Sequence, residues 1–477
     1  MNCSPRSERS WYRIRAGDPV ITPMDSRVLD ANSEALGVPV SGLMDAAGKA
    51  VSSFLETNYP GSNILFVCGP GNNGGDGFAA ALNMDPERVS VALLKKPSEI
   101  HSDIARERYS LLECPIQMYS KDLLSKATVI VDCALGTGSV GKIREPYRSF
   151  IEDCRDITSA IVSVDIPSGL GSDIFISPKH TLTFHDVKTG MSEENCGEII
   201  ICDIGIPDDA SRIVGPGDML RYPLPSTGSH KGDNGRLMIV AGGPYYGAPA
   251  MSTMAALRTG ADIVRLFAPE SIANIVASYS PVPMITQLPG DHITEESVDM
   301  LLSESNNYDA VLVGPGIGRD PQTISAVRSF IERCKTPLVV DADGLSCLPD
   351  HIDAPSVLTP HKGEYMRNWE DADPMTVSAM VGSTLVLKGK EDIITDGSTA
   401  RVNRTGNASM TGAGTGDVLS GIIAALMSKG MTPFDAASVG TYICGKAGDY
   451  AFEQKSYGTI ATDIIDMVPM VLKNTLG

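Results

Sequence analysis

No stretch of this sequence stays apolar long enough to cross a bilayer. The longest uncharged run, 237–257, is broken by Gly242, Gly243, Pro244, Gly247 and Pro249. It is not the continuous helix of about 20 apolar residues that a membrane span requires. An apolar signal core is also missing: residues 1–20 carry Arg6, Arg9, Arg13 and Arg15 with little to bury and read as a loose tail. The ten cysteines make no C-x-x-C pair, and no His/Cys cluster has zinc spacing. Scattered thiols, several in apolar segments, fit reduced, buried groups in a cytoplasmic protein. Positive charge is short, with 39 Lys+Arg against 58 Asp+Glu and a formal charge of −19. That field repels phosphate backbones and argues against a nucleic-acid partner. Short internal repeats and low-complexity tracts are absent as well. What remains is an ordinary globular mix, 42% hydrophobic and 20% charged, on a 477-residue chain too long for one core.

Short apolar runs alternate with amphipathic stretches. In the first half, 63–68, 89–94, 128–133, 160–164 and 181–184 read as strands, with helices at 41–55 and 77–82 among the stretches between them. The runs are continuous rather than alternating, as in a parallel sheet covered on both faces. The second half repeats the style at 236–241, 262–268, 310–313, 338–340, 356–358 and 384–388. Gly, Pro and Ser cluster without periodicity at 215–234, which marks the best break. The expected fold class is therefore α/β, with two domains at 21–218 and 225–477. Open sheets of this kind bind ligands outside the carboxyl ends of their strands, so those of the 47 glycines that fall there matter.

After 63–68 comes Gly69-Pro70-Gly71-Asn72-Asn73-Gly74-Gly75-Asp76-Gly77. Its literal G-x-G-x-x-G match lacks the acidic residue that a dinucleotide fingerprint wants after the next strand, where Lys95-Lys96 stand instead. Backbone N–H groups at a helix start still suit an anion. Residues 136–142 mimic a P-loop, but Ile143 replaces the Ser or Thr that would hold magnesium, so that reading is rejected. Asp132 and Asp165 end adjacent strands and offer acid/base groups or cation ligands, or plain turn caps.

These residues resemble the epimerase half of the NAD(P)H-hydrate repair enzymes. The matching pieces are Leu43-Met44-Asp45-Ala46-Ala47-Gly48, the 71–77 loop, Val131-Asp132, Leu135-Gly136-Thr137-Gly138, 164–169, and 181–184 leading to Lys188. Asp45 departs from the family's usual Glu. The resemblance implies a Rossmann-like parallel-sheet sandwich whose hydrated nicotinamide nucleotide is bound by Asn72, Asn73, Gly74, Gly75 and Asp76. Gly136, Thr137, Gly138, Ser139, Val140, Gly141, Lys142, Tyr147 and Asp165 would complete that pocket, with Asp165 as the base. Asn73, Asp132 and Ser168 would hold potassium, a cation suited to amide, carboxylate and hydroxyl oxygens.

In the second half, Thr411-Gly412-Ala413-Gly414-Thr415-Gly416-Asp417 opens a helix at 418–429. Glycines bare N–H groups there for a phosphoryl group, and an ionised Asp beside them can pull a proton. The competing reading makes Asp417 a plain helix cap. A lone His is usually a surface or core residue; His361, in a Pro-His-x-Gly-Glu string after a strand, is a candidate. With His230-Lys231-Gly232, Tyr246-Gly247-Ala248-Pro249, 314–318, 360–364 and 387–389, this half resembles the ribokinase-like, nucleotide-dependent NAD(P)H-hydrate dehydratases. The resemblance implies that Ala248, Gly316 or Gly318, His361 and Asp417 touch hydrated substrate. Lys388, Gly389, Lys390, Glu391, Asp392 and Gly416 would hold ADP or ATP, with magnesium as its ion.

Together the halves imply one bifunctional enzyme. It would epimerise hydrated NADH and NADPH and dehydrate the S form with Asp417 as base. A ribokinase-type small-molecule kinase with a regulatory N-domain, or a binding module, are the alternatives. A homo-oligomer is expected, as is common for soluble enzymes.

Overall fold

A computed structural model describes residues 11–14, 20–138 and 141–476. The chain divides between Asp208 and Asp209 into two compact units.

The first unit is built on an eight-stranded sheet. Its order is Trp11–Arg13, Glu198–Cys202, His180–Phe184, Ala160–Val164, Val129–Cys133, Ile64–Cys68, Val89–Leu93, Ile116–Met118. Every neighbouring pair is parallel except Trp11–Arg13, which runs antiparallel to Glu198–Cys202. Central strands such as Ile64–Cys68 and Val129–Cys133 are buried along their whole length, as two-sided burial requires. The expected loose tail is corrected in part. Trp11–Arg13 is an edge strand, and the Trp11 ring packs 5.3 Å from that of Phe54. Val20–Ile21 pairs with Val187–Lys188 in a second, two-stranded sheet. Residues 1–10 and 15–19 lie outside the described residues.

Helix Asn72–Leu82 starts earlier than the expected 77, so the glycine string forms its first turns. Packing explains much of that glycine. A methyl on Gly77 would lie 2.7 Å from the Cys133 sulfur, one on Gly75 would lie 2.6 Å from the Met44 methyl, and one on Gly74 would fall on the Gly69 carbonyl oxygen. Gly74→Ala is therefore expected to destabilise the first unit by about 1–3 kcal/mol, read as a lower denaturation midpoint.

The second unit carries a ten-stranded sheet. Its order is Ile213–Val214, Ala400–Asn403, Asp392–Thr395, Thr384–Leu387, Ser356–Leu358, Leu338–Val340, Ala310–Val313, Arg236–Val240, Ile263–Pro269, Met284–Leu288. From Thr384–Leu387 to Met284–Leu288 all pairs are parallel. Alternate residues of Arg236–Val240 feed opposite faces: Leu237 and Ile239 join one core, Met238 and Val240 the other. The unit begins earlier than the expected 225. Ile213–Val214 pairs in its sheet, and buried Asp218 takes both Arg401 guanidinium Nη groups. Strands 116–118, 198–202, 284–288 and the hairpin 392–403 were not expected. The first is short and exposed, and polar residues interrupt the last two.

In both sheets the chain order reverses beside the first core strand, between 64–68 and 129–133 and between 236–240 and 310–313. Such switch points open a crevice at the carboxyl ends.

Candidate active sites

The first unit's crevice is a cavity of about 480 Å³. Its lining includes Asn72, Asn73, Gly74, Asp76, Gly136, Thr137, Gly138, Tyr147 and Asp165, all expected from the sequence. Helix Asn72–Leu82 has no side-chain cap, and Asn72, Asn73 and Gly74 of its first turn line this space. Gly75 does not line the cavity; it is buried against Met44 and Ala105. Gly141 and Lys142 are exposed, and Ser139 and Val140 lie outside the described residues. Asp45 makes a two-pronged ion pair with Arg108 at 2.6 and 3.0 Å.

Asp132 and Asp165, alike in the sequence, have separate environments. Asp132 is fully buried. Ala134 N–H and Ser168 Oγ donate to one carboxylate oxygen, Ser163 Oγ and Ser168 N–H to the other. Burial raises its pKa against those bonds, and no cationic side chain is among the causes that offset it. Asn73 donates to the Leu135 carbonyl at 2.9 Å, and Leu135 N–H donates to Ser168 Oγ at 2.8 Å. The other Asn73 amide atom, Oδ1, is buried without a partner among the described residues. Asn73, Asp132 and Ser168 are thus gathered around Leu135, with one unfilled oxygen acceptor and an uncompensated carboxylate. That donor set fits a weakly hydrated monovalent cation.

Asp165 sits at φ +64°, a left-handed conformation uncommon outside glycine. Its Oδ1 is 2.7 Å from Lys188 Nζ, which also donates to Thr183 Oγ1 and the Phe184 carbonyl. Lys188 is 2% exposed. Two further carboxyls share the cavity. Burial, then the charge of Asp165, pushes Asp30 up to about 6 and Asp76 well above the usual range. The sequence reading missed Asp30 and gave Lys188 no role. An acidic residue inside a helix carries no local signal, and Lys188 ends a two-residue strand.

In the second unit, helix Thr415–Ser428 starts from Gly414 at φ +93° without a side-chain cap. Met251 and Ala461 leave no room for a side chain at Gly414. Asp417 does not cap the helix: among the described residues its carboxyl makes no hydrogen bond. It is raised to about 7, first by burial, then by the charge of Asp341, with Lys388 opposing. Lys388 Nζ is 2.9 Å from buried Asp341, and a methyl on Gly416 would lie 3.2 Å from it. Lys388 therefore stands over the helix mouth. Asp341, Asp343 and Glu364 crowd Asp417 electrostatically and were not singled out as site residues. His361 caps helix Lys362–Trp369, its Nδ1 accepting from Gly363 and Glu364 N–H. That places any neutral-ring proton on Nε2. A backbone bridge joins His361 to Lys388.

Gly316 and Gly318 are buried at φ +70° and +76° against Tyr245 and Pro244. Asp343 accepts from Gly318 N–H and pairs with Arg319. Ala248 lies in the first turn of helix Gly247–Arg258. Of the residues after Lys388, Lys390 is exposed, and Glu391 pairs with Arg404. The Asp392 carboxylate accepts from Gly389 N–H and Asn403, so it shapes the hairpin that carries Gly389. Among the described residues, no three His, Cys, Asp or Glu side chains form a ready-made metal cage.

Residues 40–190 match a family model described as YjeF-related protein N-terminus, and residues 237–470 one described as NAD(P)H-hydrate dehydratase. A bifunctional NAD(P)H-hydrate repair enzyme of Methanothermobacter thermautotrophicus is 39% identical, over 95% of this chain and 96% of its own. One of the same description from Archaeoglobus fulgidus is 35% identical, over 94% and 97%. A ribokinase-like superfamily protein from Enterococcus faecalis shares the fold over 55% of this chain and 96% of its own, with a TM-score of 0.50 and 23% identity. A hypothetical protein from Streptococcus mutans does so over 56% and 100%, with a TM-score of 0.51 and 22% identity.

Proposed function

This chain belongs to the bifunctional NAD(P)H-hydrate repair enzymes, and on that footing we propose that it returns hydrated NADH and NADPH to use in two steps. The first unit interconverts the R and S forms, which differ at a hydroxyl-bearing C6 of the nicotinamide ring. The second removes that hydroxyl from the S form with phosphoryl transfer from ADP or ATP. The observation that carries the reading is the coincidence of two family matches, in order, on one chain that its relatives match over nearly their whole length.

In the first unit, Asn72, Asn73, Gly74, Asp76, Gly136, Thr137, Gly138 and Tyr147 hold the substrate, and Asp165 works as base. Asn73, Asp132 and Ser168 would hold potassium, which would neutralise Asp132 and fix the loops that carry them. Replacing potassium by choline is then expected to lower both the epimerisation rate and the melting temperature, measured in the full chain.

In the second unit, Ala248, Gly316 or Gly318, and His361 hold the S form. Lys388–Asp392 and Gly416 hold the nucleotide, whose phosphates bring magnesium with them; magnesium characteristically binds through substrate phosphates and a few carboxylates. Asp417 takes the proton of the C6 hydroxyl, the C6 oxygen bonds to the terminal phosphorus, and the bond from that phosphorus to the bridging oxygen of the nucleotide breaks. N–H groups of the helix mouth and Lys388 hold the charge. Hydroxide leaves poorly, whereas phosphate leaves readily, so the transfer lowers the barrier to dehydration.

The test is incubation of the chain with hydrated NADH and ADP or ATP in potassium buffer. Return of the NADH absorbance band with release of orthophosphate supports the reading. A stable phosphorylated product supports the small-molecule kinase instead. The nine cysteines among the described residues are buried and free, which fits a reducing cytoplasm, and light scattering checks the expected homo-oligomer.

A further inference from the structure

We propose that Asp30 is a second acid/base group of the epimerisation, the partner of Asp165 in the first unit's cavity. The proposal rests on the epimerase reading above. Asp30 comes from helix Pro23–Ala35, a different element from those that carry Asp76 and Asp165, yet all three line one cavity with Lys188. The helix does not need Asp30 for its own structure. Thr22 and Asp25 form its capping box, whereas Asp30 lies beyond the first turn. Among the described residues its carboxyl makes no hydrogen bond or ion pair. A half-buried carboxyl without a partner is unfavourable to the fold, and groups of that kind in a cavity mark function.

The chemistry needs two carboxyl groups in opposite states. C6 is bonded to the ring nitrogen N1. A neutral carboxyl gives its proton to the C6 hydroxyl; the C6–O bond breaks, and its electron pair leaves on water. The N1 lone pair becomes the N1=C6 π bond. Water then adds to the other face of C6, the π pair returns to N1, and a carboxylate takes the released proton. One proton is given and one is taken, so the net change is inversion at C6.

Lys188 Nζ is 2.7 Å from Asp165 Oδ1, and that pairing suits Asp165 to the proton-taking role. The donor must be another group. Asp76 belongs to the first turns of the glycine-rich helix that the substrate reading already uses, and burial, then Asp165, raises its carboxyl well above the usual range. Asp30, at about 6, can release a proton and recover it from water between turnovers. Its electrostatic neighbours are Asp165 and Lys188, and Arg27, Asp76, His101, Tyr147 and His185 line the same space.

The test compares wild type with Asp30→Asn in the full chain, following the R form by chromatography. Asp30→Asn is expected to slow the R-to-S step by about 100-fold or more in kcat. Dehydration of the S form by the second unit continues at the wild-type rate and serves as the folding control. Wild-type epimerisation declines as pH rises through about 6. Asp30→Asn loses that limb and Asp30→Glu regains part of it. In ¹⁸O water, the label enters the C6 hydroxyl. Asp30→Asn melts no lower than wild type at pH 7.5, because an unpartnered buried carboxyl has been removed. Wild-type kcat with the limb intact in Asp30→Asn overturns the proposal, as does a loss confined to KM or an unlabelled product. Wild type that leaves the R form untouched overturns the epimerase reading, and the role of Asp30 falls with it.

Discussion

Asp417→Asn is expected to keep the fold and to slow dehydration of the S form by a factor of about 10²–10⁴, the usual contribution of a positioned general base. The amide retains the shape of the side chain but cannot take the hydroxyl proton. No helix cap is lost, because Gly414 starts the helix without a side-chain bond. The pH dependence gives a second signature. Burial and Asp341 raise Asp417 to about 7, so its basic form fills as pH rises through neutrality. kcat/KM for dehydration should climb across that range in wild type and lose this limb in Asp417→Asn. Stability runs the other way. The folded state binds the Asp417 proton more tightly than the unfolded chain does, so wild-type stability falls between about pH 4 and 7. The variant lacks that fall and should melt no lower than wild type at pH 8. Steady-state rates for NADH recovery and a melting curve on the same sample check both statements. A variant dehydrating at the wild-type rate would remove Asp417 from the chemistry.

Lys188→Met is expected to lower the stability of the full chain by about 3–5 kcal/mol, the cost of leaving one member of a buried ion pair alone. The lower end is the better guide, because the Asp165 side chain keeps 17% of its exposure. Lys188 spends its three N–H donors on Asp165, Thr183 Oγ1 and the Phe184 carbonyl, and methionine satisfies none of them. The loss should depend on pH. Above neutrality Asp30 is ionised beside Asp165 in a cavity that has lost this cation. Near pH 5 Asp30 is protonated and the repulsion eases. Denaturant unfolding at pH 8 and pH 5 should therefore show the larger deficit at pH 8. Epimerisation should fall as well, since Asp165 loses the cation that pairs with its carboxyl at 2.7 Å. Equal deficits at the two pH values would mean that the lysine acts through packing alone.

The two sites were legible in the sequence to different degrees. Asp417 stands beside a local string of glycines, and a string of neighbours is what a linear reading detects, although Gly414 is also required by its φ of +93° and by Met251 and Ala461. The loop at 71–77 was found in the same way. Its density was assigned to ligand binding, although Gly75 and Gly77 are there because Met44 and the Cys133 sulfur leave no room for a methyl. By position alone Asp132 and Asp165 were alike at adjacent strand ends, and only the family resemblance gave them different roles. One is fully buried under four donors and the other faces Lys188 in the cavity. His361 turned out to cap its own helix with Nδ1, a use that its residue type alone does not announce. Trp11–Arg13 sits among arginines that suggest a tail, yet its pairing partner is Glu198–Cys202, far along the chain.

The amino-acid order alone determined the α/β alternation, the near-positions of the core strands and the glycine-rich turns after them. These depend on the periodicity of neighbouring residues and on backbone freedom at single positions. Only the folded chain decided which carboxyls meet a lysine, which meet each other and which are sealed by hydroxyl and amide donors. Asp30, Asp76, Asp165 and Lys188 come from four separate segments, and so do Asp341, Glu364, Lys388 and Asp417. A charge is set by the water it has lost and the charges it faces, and both are properties of space rather than of order along the chain.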